Sequence, residues 1–449
     1  MVSARSLAQH ALLALKRGRQ TRLRAALEGA QLDRRDQAFA SELAHGVLRR
    51  ERLLDHVLLG FAHRGLPKQP ALLTALRLGV YQLLFVPGMP AHAAVHETVA
   101  LIRENKGFAN ALLRRVAGAV ADRAADPARP REELALGERR CFELAAPLPE
   151  DEVARLALQH SLPDWLAQRC CEQHGLDGLR QIAAAASCQP GVFLRAVGDV
   201  DALVSDLQAE EVQVERAAGA GLLRWSGGAA PFRTRPFQEG RFVVQDPTAA
   251  AVAAAVPCAA GDVVIDLCAA PGTKTTLLAE RVQPGGRVLA YDPDASRRER
   301  VVENVTRLGF GGVVGVVSDP AALEPAGSVL ADVPCSNTGV LGRRVEVRGR
   351  LQPEVFEQLA VVQRQILERA FALTEPGGHL VYSTCSVDRE ENEDVVAAML
   401  GAHPDLELLE QVTTLPAAGE HDGGFYAVLR RGGLTRAAAA RAGHRAAIG

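Results

Sequence analysis

Aromatic residues are scarce in this chain of 449 residues, where Phe, Tyr and Trp together make up 4%. Hydrophobic residues nevertheless reach 48%, so aliphatic side chains must build the core. No apolar run approaches the roughly 18 residues that a membrane-spanning helix needs. The opening MVSARSLAQHALLALKRGRQ has scattered arginines and no separate apolar core before small residues, which does not fit a secretory signal. We therefore expect a cytoplasmic protein that does not enter a membrane.

Paired cysteine spacing is also absent. None of the eight cysteines shows the short spacing that zinc sites and disulfide frameworks use. We expect reduced thiols and no metal. The cysteines are Cys141, Cys170, Cys171, Cys188, Cys258, Cys268, Cys335 and Cys385.

A large net charge is lacking too, since the total is −2, but the two signs are unevenly distributed. Residues 1–120 hold 18 Lys and Arg against 8 Asp and Glu, which leaves +10 there and −12 in the remainder. A basic module joined to an acidic one suits a protein that holds a polyanion in one part and does chemistry in another. A merely solvated basic surface stays open as the alternative.

Hydrophobic periodicity divides the chain into three folded parts and a tail. Residues 1–135 show helical spacing and predict an all-α domain. Residues 145–245 mix helical and strand-like patterns, which predicts a small α/β adaptor. From 246 to 432 strands and helices alternate, as in a doubly wound, mostly parallel Rossmann-like sheet. Residues 433–449 are rich in Ala and Arg, and we expect them to be disordered.

The first strand of the predicted sheet, VVIDL, leads into the turn CAAPGTK and then a helix. Small residues at such a turn let the backbone approach a ligand closely. The turn matches neither the dinucleotide pattern GxGxxG nor the phosphate-binding loop. It resembles the first loop of an S-adenosylmethionine (SAM)-dependent methyltransferase. The candidate cofactor residues in it are Cys268, Ala269, Ala270, Pro271, Gly272, Thr273 and Lys274.

Acidic residues follow the later strands. Asp292 ends the second strand, 20 residues after Gly272, where such sheets place a carboxylate that accepts hydrogen bonds from ribose hydroxyls. Asp319 ends the third strand and is a candidate partner of an adenine amino group, and Asp332 ends the fourth. Each could instead be a helix cap or turn residue. Polar groups at successive strand ends favour the cofactor interpretation.

Two cysteines, Cys335 in ADVPCSNTGV and Cys385 in HLVYSTCSVD, follow apolar strand-like runs. Open α/β sheets bind ligands at the carboxyl ends of their strands, so we expect both thiols in one cleft. A thiolate can add to an electron-poor ring carbon and later leave. Asp332, three residues before Cys335, indicates an acid beside a nucleophile. The alternative is that each cysteine is simply a small buried hydrophobe.

Longer strings carry a family resemblance. DLCAAPGTKT, VLADVPCSNTGV, LVYSTCSVDREENE and HDGGFYAVL resemble the RNA 5-methylcytosine methyltransferases. LRLGVYQLLF, AHAAVHETV and FANALLRR are similar to the NusB-like helical domain of one bacterial branch, the RsmB (Sun/Fmu) family of ribosomal RNA methyltransferases. The resemblance implies SAM-dependent methylation of carbon 5 of a cytosine in small-subunit ribosomal RNA, with the helical domain binding RNA. We expect a monomer.

The same resemblance implies roles for three residues. Cys385 would attack carbon 6 of the base, Asp332 would hydrogen-bond to or protonate ring nitrogen 3, and Cys335 would be needed for release. Two alternatives stay open. One is a non-catalytic RNA-binding ribosome assembly factor, and the other is the same chemistry on transfer RNA.

The chain departs from the family pattern at several positions. Thr273 and Asn337 each stand where the family has glycine. RRVEVRG follows the Pro-Cys loop in place of Arg-His-Pro-Asp and a tryptophan, and we expect that segment to face the RNA.

Overall fold

The computed structural model describes residues 3–20, 22–28 and 31–433. The predicted Ala/Arg-rich tail therefore lies, apart from its first residue, outside the described residues. The described chain forms two compact units. The first, here the helical unit, comprises the residues up to Cys188 together with Leu341–Leu351. The second, here the sheet unit, comprises Gln189–Val340 together with the residues from Gln352 onward.

The helical unit begins with helices whose Ala and Leu residues share one core, with Leu43, Leu54, Leu76 and Leu113 fully buried. Apolar residues at helical spacing place these side chains on one face of each helix, and their burial drives the packing. The helices are α1 (Ala4–Lys16), α2 (Leu23–Leu27), α3 (Arg34–Arg49), α4 (Glu51–Phe61), α5 (Pro70–Phe85), α6 (Ala91–Ala100) and α7 (Lys106–Gly118).

The helical prediction is wrong beyond Gly118. There a small antiparallel sheet forms in the order β1-β3-β2, from β1 (Val120–Ala121), β2 (Glu133–Ala135) and β3 (Cys141–Glu143). The sequence pattern did not predict these strands because one of their buried positions is the charged residue Glu133. Its carboxylate is buried as ion pairs with Arg123 and Arg129. Helices α8 (Glu152–Gln159) and α9 (Asp164–Ser187) follow within the same unit.

The sheet unit begins with a four-stranded antiparallel sheet in the order β5-β6-β4-β7. Its elements are β4 (Phe193–Ala196), α10 (Val200–Ala209), β5 (Val212–Arg216), β6 (Leu222–Gly228), α11 (Arg235–Gln238) and β7 (Phe242–Val244). The range 145–245 thus contains α8 and α9 of the helical unit as well as this sheet. The proposed domain boundaries stay a prediction.

A seven-stranded sheet follows, in the order β10-β9-β8-β11-β12-β14-β13. All neighbouring pairs are parallel except those of β14, which runs antiparallel to β12 and β13. The predicted Rossmann-like sheet is confirmed. Its elements are α12 (Pro247–Ala255), β8 (Val263–Asp266), α13 (Thr273–Val282), β9 (Arg287–Tyr291), α14 (Ala295–Arg307), β10 (Val314–Val317), β11 (Ala326–Asp332), α15 (Glu354–Ala372), β12 (Thr374–Thr384), α16 (Glu393–Ala402), β13 (Leu406–Thr414) and β14 (Gly424–Arg431).

Both faces of this sheet are covered, which is why its central strands are continuous apolar runs. On β11, Val329 and Ala331 pack in the core with α15 and α16, whereas Leu330 between them packs in the opposite core with α13 and α14. Strand order reverses between β8 and β11, since the chain leaves β8 toward β9 and β10 and then returns to β11. Ligands of open sheets bind outside the carboxyl ends of the strands at such a reversal.

Candidate active site

The two thiols predicted from strand ends come together. Cys335 follows β11, Cys385 follows β12, and their Sγ atoms lie 3.0 Å apart without forming a disulfide. Parallel pairing brings the two strand ends side by side, with Asp332 opposite Ser383. Cys335 is buried, whereas Cys385 is partly exposed. Cys385 is therefore the more accessible of the two thiols.

Asn337 links the two cysteines. Its Nδ2 donates to the carbonyl oxygen of Cys335 at 2.7 Å, and its Oδ1 accepts from the Cys385 thiol at 3.5 Å. Its backbone is left-handed, with φ of 64°, a conformation that asparagine tolerates better than most residues with a side chain. Asn337 thus keeps the backbone shape that a glycine would allow and adds an amide beside the Cys385 thiol.

Either thiol can donate in the 3.0 Å contact between the two sulfurs. When the Cys385 thiol donates to Asn337, Cys335 is the donor to Cys385. Its hydrogen bond to Cys385, together with burial, raises the pKa of Cys335 well above the ordinary value of a thiol. Cys335 is therefore built to keep its proton next to the sulfur of Cys385.

Buried hydroxyl groups join the two cysteine loops. The Oγ atoms of Ser336 and Ser386 lie 3.2 Å apart, and Oγ1 of Thr338 lies 2.8 Å from Oγ of Ser386. Glu391, fully buried, accepts from the backbone N–H of Ser336 at 2.8 Å and from Nε2 of Gln363 at 2.9 Å. Glu391 was not singled out from the sequence, and the only signal for it is its place in the string DREENE that carries the family resemblance.

Gly339 is held tightly between these loops. Its N–H donates to the carbonyl oxygen of Cys385 at 3.0 Å, and its own carbonyl accepts from Gly423 at 2.8 Å. A Cβ at position 339 would lie 2.5 Å from the Gly423 oxygen and 2.8 Å from the Cys385 oxygen. Both obstacles are backbone atoms, so the loops must move apart to admit a methyl group.

We expect Gly339→Ala to loosen the cysteine loops. Buried Cys335 should then react with iodoacetamide about 10-fold faster, as measured by mass spectrometry of the labelled peptide. Gly327→Ala is the matched control, because a Cβ there meets nothing within 4 Å. Equal labelling rates of Cys335 in both variants would show that the loops are not held at Gly339.

Asp332 is an acceptor for two neighbours. Its Oδ2 accepts from Nζ of Lys274 at 2.6 Å, and its Oδ1 accepts from Oγ of Ser383 at 2.7 Å. Burial by itself would lower the pKa of Lys274, but attraction to Asp332, and to a smaller extent to Asp266 and Cys385, raises it. A charged ammonium is thus fixed beside Asp332 and within electrostatic range of the Cys385 sulfur.

The predicted cofactor loop lies at the carboxyl end of β8. Cys268 and Ala269 are buried, and the N–H of Ala270 donates to Oδ2 of Asp292 at 3.3 Å. Gly272 has φ of 99°, which favours glycine, and Thr273 begins α13 directly after it. The side chain of Lys274, which the sequence placed among the cofactor residues, contacts Asp332.

The strand-end acids differ in their surroundings. Asp292 is fully buried, accepts from the N–H of Asp294 at 3.1 Å and pairs with Arg297 at 3.4 Å. Asp319 is exposed, and its Oδ1 accepts from the N–H of Ala321 at 2.9 Å, as a helix cap does. The contact of Asp319 with an adenine amino group stays a prediction.

Asp266, at the end of β8, was missed at the sequence level. It is buried, its Oδ2 accepts from Oγ1 of Thr275 at 2.7 Å, and its Oδ1 has no partner among the described residues. Burial raises the pKa of Asp266 to about 7, and the nearby charge of Asp332 adds to the increase. Its position directly before the LCAAPG turn is the sequence feature that could have identified it as a site residue.

Asp266 should make stability depend on pH. Its pKa in the folded protein is above that in the unfolded chain, so its contribution is full below about pH 4 and is lost as pH rises through 7. We expect the melting temperature of Asp266→Asn to fall less than that of the wild type between pH 5 and pH 8.5, by roughly 4 °C. Glu299→Gln, an exposed change on α14, should follow the wild type. Parallel curves for all three proteins would contradict this account of Asp266.

Within the described residues, no helix is long and apolar enough to cross a membrane. The same residues contain no group of three or more His, Cys, Asp or Glu side chains that could hold a metal ion.

Two family models match the chain. The model described as 16S rRNA methyltransferase RsmB/F matches residues 253–430, and the NusB family model matches residues 2–118. Among curated proteins, ribosomal RNA small subunit methyltransferase B of Thermus thermophilus is 33% identical, over 95% of this chain and 97% of that protein. A putative methyltransferase of Mycobacterium tuberculosis is 36% identical over 82% of this chain and 80% of its own length.

Solved structures share the fold. The crystal structure of PH0851 has a TM-score of 0.71 at 24% identity, covering 96% of this chain and 99% of that one. A methyltransferase homolog protein from Pyrococcus horikoshii has a TM-score of 0.56 at 24% identity, covering 63% of this chain and all of its own.

Proposed function

Because this chain belongs to the RsmB/F family of 16S rRNA methyltransferases, we propose that it methylates carbon 5 of a cytosine in small-subunit ribosomal RNA through a covalent cysteine adduct. The observation that carries the proposal is the pair of thiols, 3.0 Å apart, beside the Lys274–Asp332 pair. Transfer of a methyl group to an RNA nitrogen or oxygen needs no thiol nucleophile. Transfer to carbon 5 does, because that carbon is a poor nucleophile until carbon 6 has been attacked.

The first step is addition of the Cys385 thiolate to carbon 6. Cys385 is the more exposed of the two thiols, and the ammonium of Lys274 lies within electrostatic range of its sulfur. The ammonium can stabilise negative charge on the attacking sulfur. The new bond between sulfur and carbon 6 moves electron density to carbon 5, which becomes an enamine carbon able to take a methyl group.

Asp332 and Lys274 act on the opposite edge of the ring. As carbon 6 is attacked, ring nitrogen 3 gains electron density and needs a proton or a strong hydrogen bond. Asp332 would face that nitrogen and relay to it a proton from the ammonium of Lys274, whose Nζ lies 2.6 Å from Oδ2 of Asp332. Ser383 holds the other carboxylate oxygen and so fixes the orientation of Asp332.

Cys335 acts when the adduct breaks down. Carbon 5 loses its proton to solvent, the bond between Cys385 and carbon 6 breaks with departure of the Cys385 thiolate, and ring nitrogen 3 returns its proton to the Lys274–Asp332 pair. Cys335 keeps its own proton and donates it as a hydrogen bond to the departing sulfur, which stabilises the thiolate. Without Cys335, addition still occurs but release is slow.

The residues around β8 and β9 fit the methyl donor SAM. Small residues Ala269, Ala270 and Gly272 leave room for a ligand against the loop backbone, and Asp292 retains acceptor capacity for ribose hydroxyls. Directly before that loop, Asp266 contributes a buried oxygen that has no partner in the described part of the chain. Bound there, SAM would supply an electrophilic methyl group.

We assign RNA binding to the helical domain, residues 2–118, which lies within the part of the chain with a surplus of positive charge. The target cytosine must be single-stranded or flipped out, because the thiol has to reach the face of the ring. Ribosomal RNA is favoured over transfer RNA by the names of the relatives, which are ribosomal RNA small subunit methyltransferases.

Labelled methyl transfer tests the proposal. Purified protein, SAM carrying a tritiated methyl group and small-subunit ribosomal RNA from cells lacking the protein should give one labelled 5-methylcytidine per RNA. If only transfer RNA became labelled, the substrate would be transfer RNA and not ribosomal RNA. RNA binding without any label would leave the assembly-factor alternative.

A further inference from the structure

The segment Leu341–Leu351 belongs to the helical unit although it follows the Cys335 loop directly in the chain. Val345 is 1% exposed and packs in the core formed by α1 to α7. Arg348 is also buried, at 6% exposure. The expectation that RRVEVRG faces the RNA is therefore wrong for these two residues, because apolar and hydrogen-bonding partners inside the unit outweigh exposure to solvent.

Arg348 binds the ends of three helices. Its guanidinium donates to the carbonyl oxygens of Arg49 at 2.9 Å, of His160 at 3.2 Å and of Ala186. Arg49 is the last residue of α3, His160 follows α8, and Ala186 lies in the last turn of α9. The guanidinium donates a fourth hydrogen bond, at 3.1 Å, to the carbonyl oxygen of Leu341 within the same segment.

Helix ends explain how a buried cation is tolerated here. The last carbonyl groups of a helix have no partner within it and carry a partial negative charge. Burial, with the like charges of Arg49 and Arg50, lowers the pKa of Arg348 to about 9, which still leaves it charged at neutral pH. The guanidinium spreads its donors over two terminal nitrogens that reach four carbonyl oxygens, whereas the ammonium of lysine offers three donors on a single nitrogen.

The chain is hydrogen-bonded at Gly339 and again at Gly342, with only a short segment between them. In the helical unit, Nε of Arg49 donates to the carbonyl oxygen of Gly342 at 3.1 Å, and a Cβ on Gly342 would lie 2.5 Å from the Ala185 oxygen. In the sheet unit, Gly339 is hydrogen-bonded to Cys385 and Gly423. Only two residues, 340 and 341, separate Gly339 from Gly342.

We propose that Arg348 is a positioning residue, which holds Leu341–Leu351 in the helical unit and thereby fixes the C-terminal end of the loop that carries Cys335 and Asn337. Its effect on catalysis rests on the proposed function. Its effect on the order of the loop does not.

Hydrogen exchange of the full-length protein tests the structural part. In Arg348→Met, amides of residues 335–341 should exchange at least about 10-fold faster than in the wild type. Arg348→Lys should give a smaller increase in the same peptide, and it keeps the charge if Arg348→Met folds poorly. Arg350→Met, an exposed change in the same segment, is the matched control and should match the wild type.

Kinetics test the catalytic part. Arg348→Met should keep the dissociation constant for SAM within about twofold, because the SAM residues lie elsewhere, while kcat for RNA methylation falls about 10-fold to 100-fold. If exchange increases only in residues 152–187 and not in 335–341, Arg348 merely joins helices and the proposal is overturned. A wild-type protein without methylation would refute the proposed function, and the exchange result would still decide the role of Arg348.

Discussion

Cys385→Ala is expected to form no covalent adduct with RNA and to lose methylation by at least about 10³-fold, whereas Cys335→Ala should accumulate the adduct. The difference follows from the site. Cys385 is the thiol that a base can reach, and Cys335 keeps a proton that stabilises the departing sulfur 3.0 Å away. Removing the first thiol prevents addition, and removing the second slows elimination.

Denaturing gels of each variant with labelled RNA and SAM measure the adduct as a slower band. Cys258→Ala is the control, since Cys258 is a free cysteine of the sheet unit outside the site and should behave as the wild type. The double variant Cys335→Ala/Cys385→Ala should form no adduct, because addition precedes release. Adduct with Cys385→Ala and none with Cys335→Ala would mean that the roles of the two thiols are reversed.

Lys274→Met and Asp332→Asn should each lower the rate of methylation about 10²-fold to 10⁴-fold. Lys274 and Asp332 form a close pair at 2.6 Å, and each variant removes either the proton donor or the carboxylate that faces ring nitrogen 3. The defect should lie in addition. Asp332→Asn combined with Cys335→Ala should therefore trap much less adduct than Cys335→Ala alone.

Single-turnover kinetics separate this role from a structural one. Ser383→Ala removes only one hydrogen bond to Asp332 and should cost about 10-fold or less. Arg300→Met, an exposed change on α14 in the sheet unit, should have no effect on the chemical step. If Lys274→Met has a lower melting temperature but the wild-type single-turnover rate, the pair stabilises the fold and takes no part in the reaction.

The fold class and the family are confirmed. They could be predicted because both depend on patterns among residues that are close together in the sequence. Strand periodicity followed by a chemically distinctive residue, as before Cys335 and Cys385, marks the carboxyl edge of a parallel sheet. Strand order then decides which ends meet. Because β8 and β11 are neighbours, Lys274 reaches Asp332 across 58 positions of sequence, and no local pattern predicts that pair.

Arg348 shows the opposite limit of sequence reasoning. In RRVEVRG it is one of several arginines in a polar segment, and composition predicts exposure. Its burial depends on three helix ends that come together only in the folded chain. One of them, at Arg49, is about 300 positions away in sequence. Glu391 is similar, since its buried contacts with Ser336 and Gln363 appear only when the two cysteine loops are adjacent.

Release of tritium from carbon 5 tests the central claim most directly. Small-subunit ribosomal RNA is made with [5-³H]cytidine and incubated with the protein and unlabelled SAM, and tritium in water is compared with methyl groups added. We predict one tritium released for each methyl group, with no release by Cys385→Ala. Methyl groups added without release of tritium would place the modification away from carbon 5 and contradict the account.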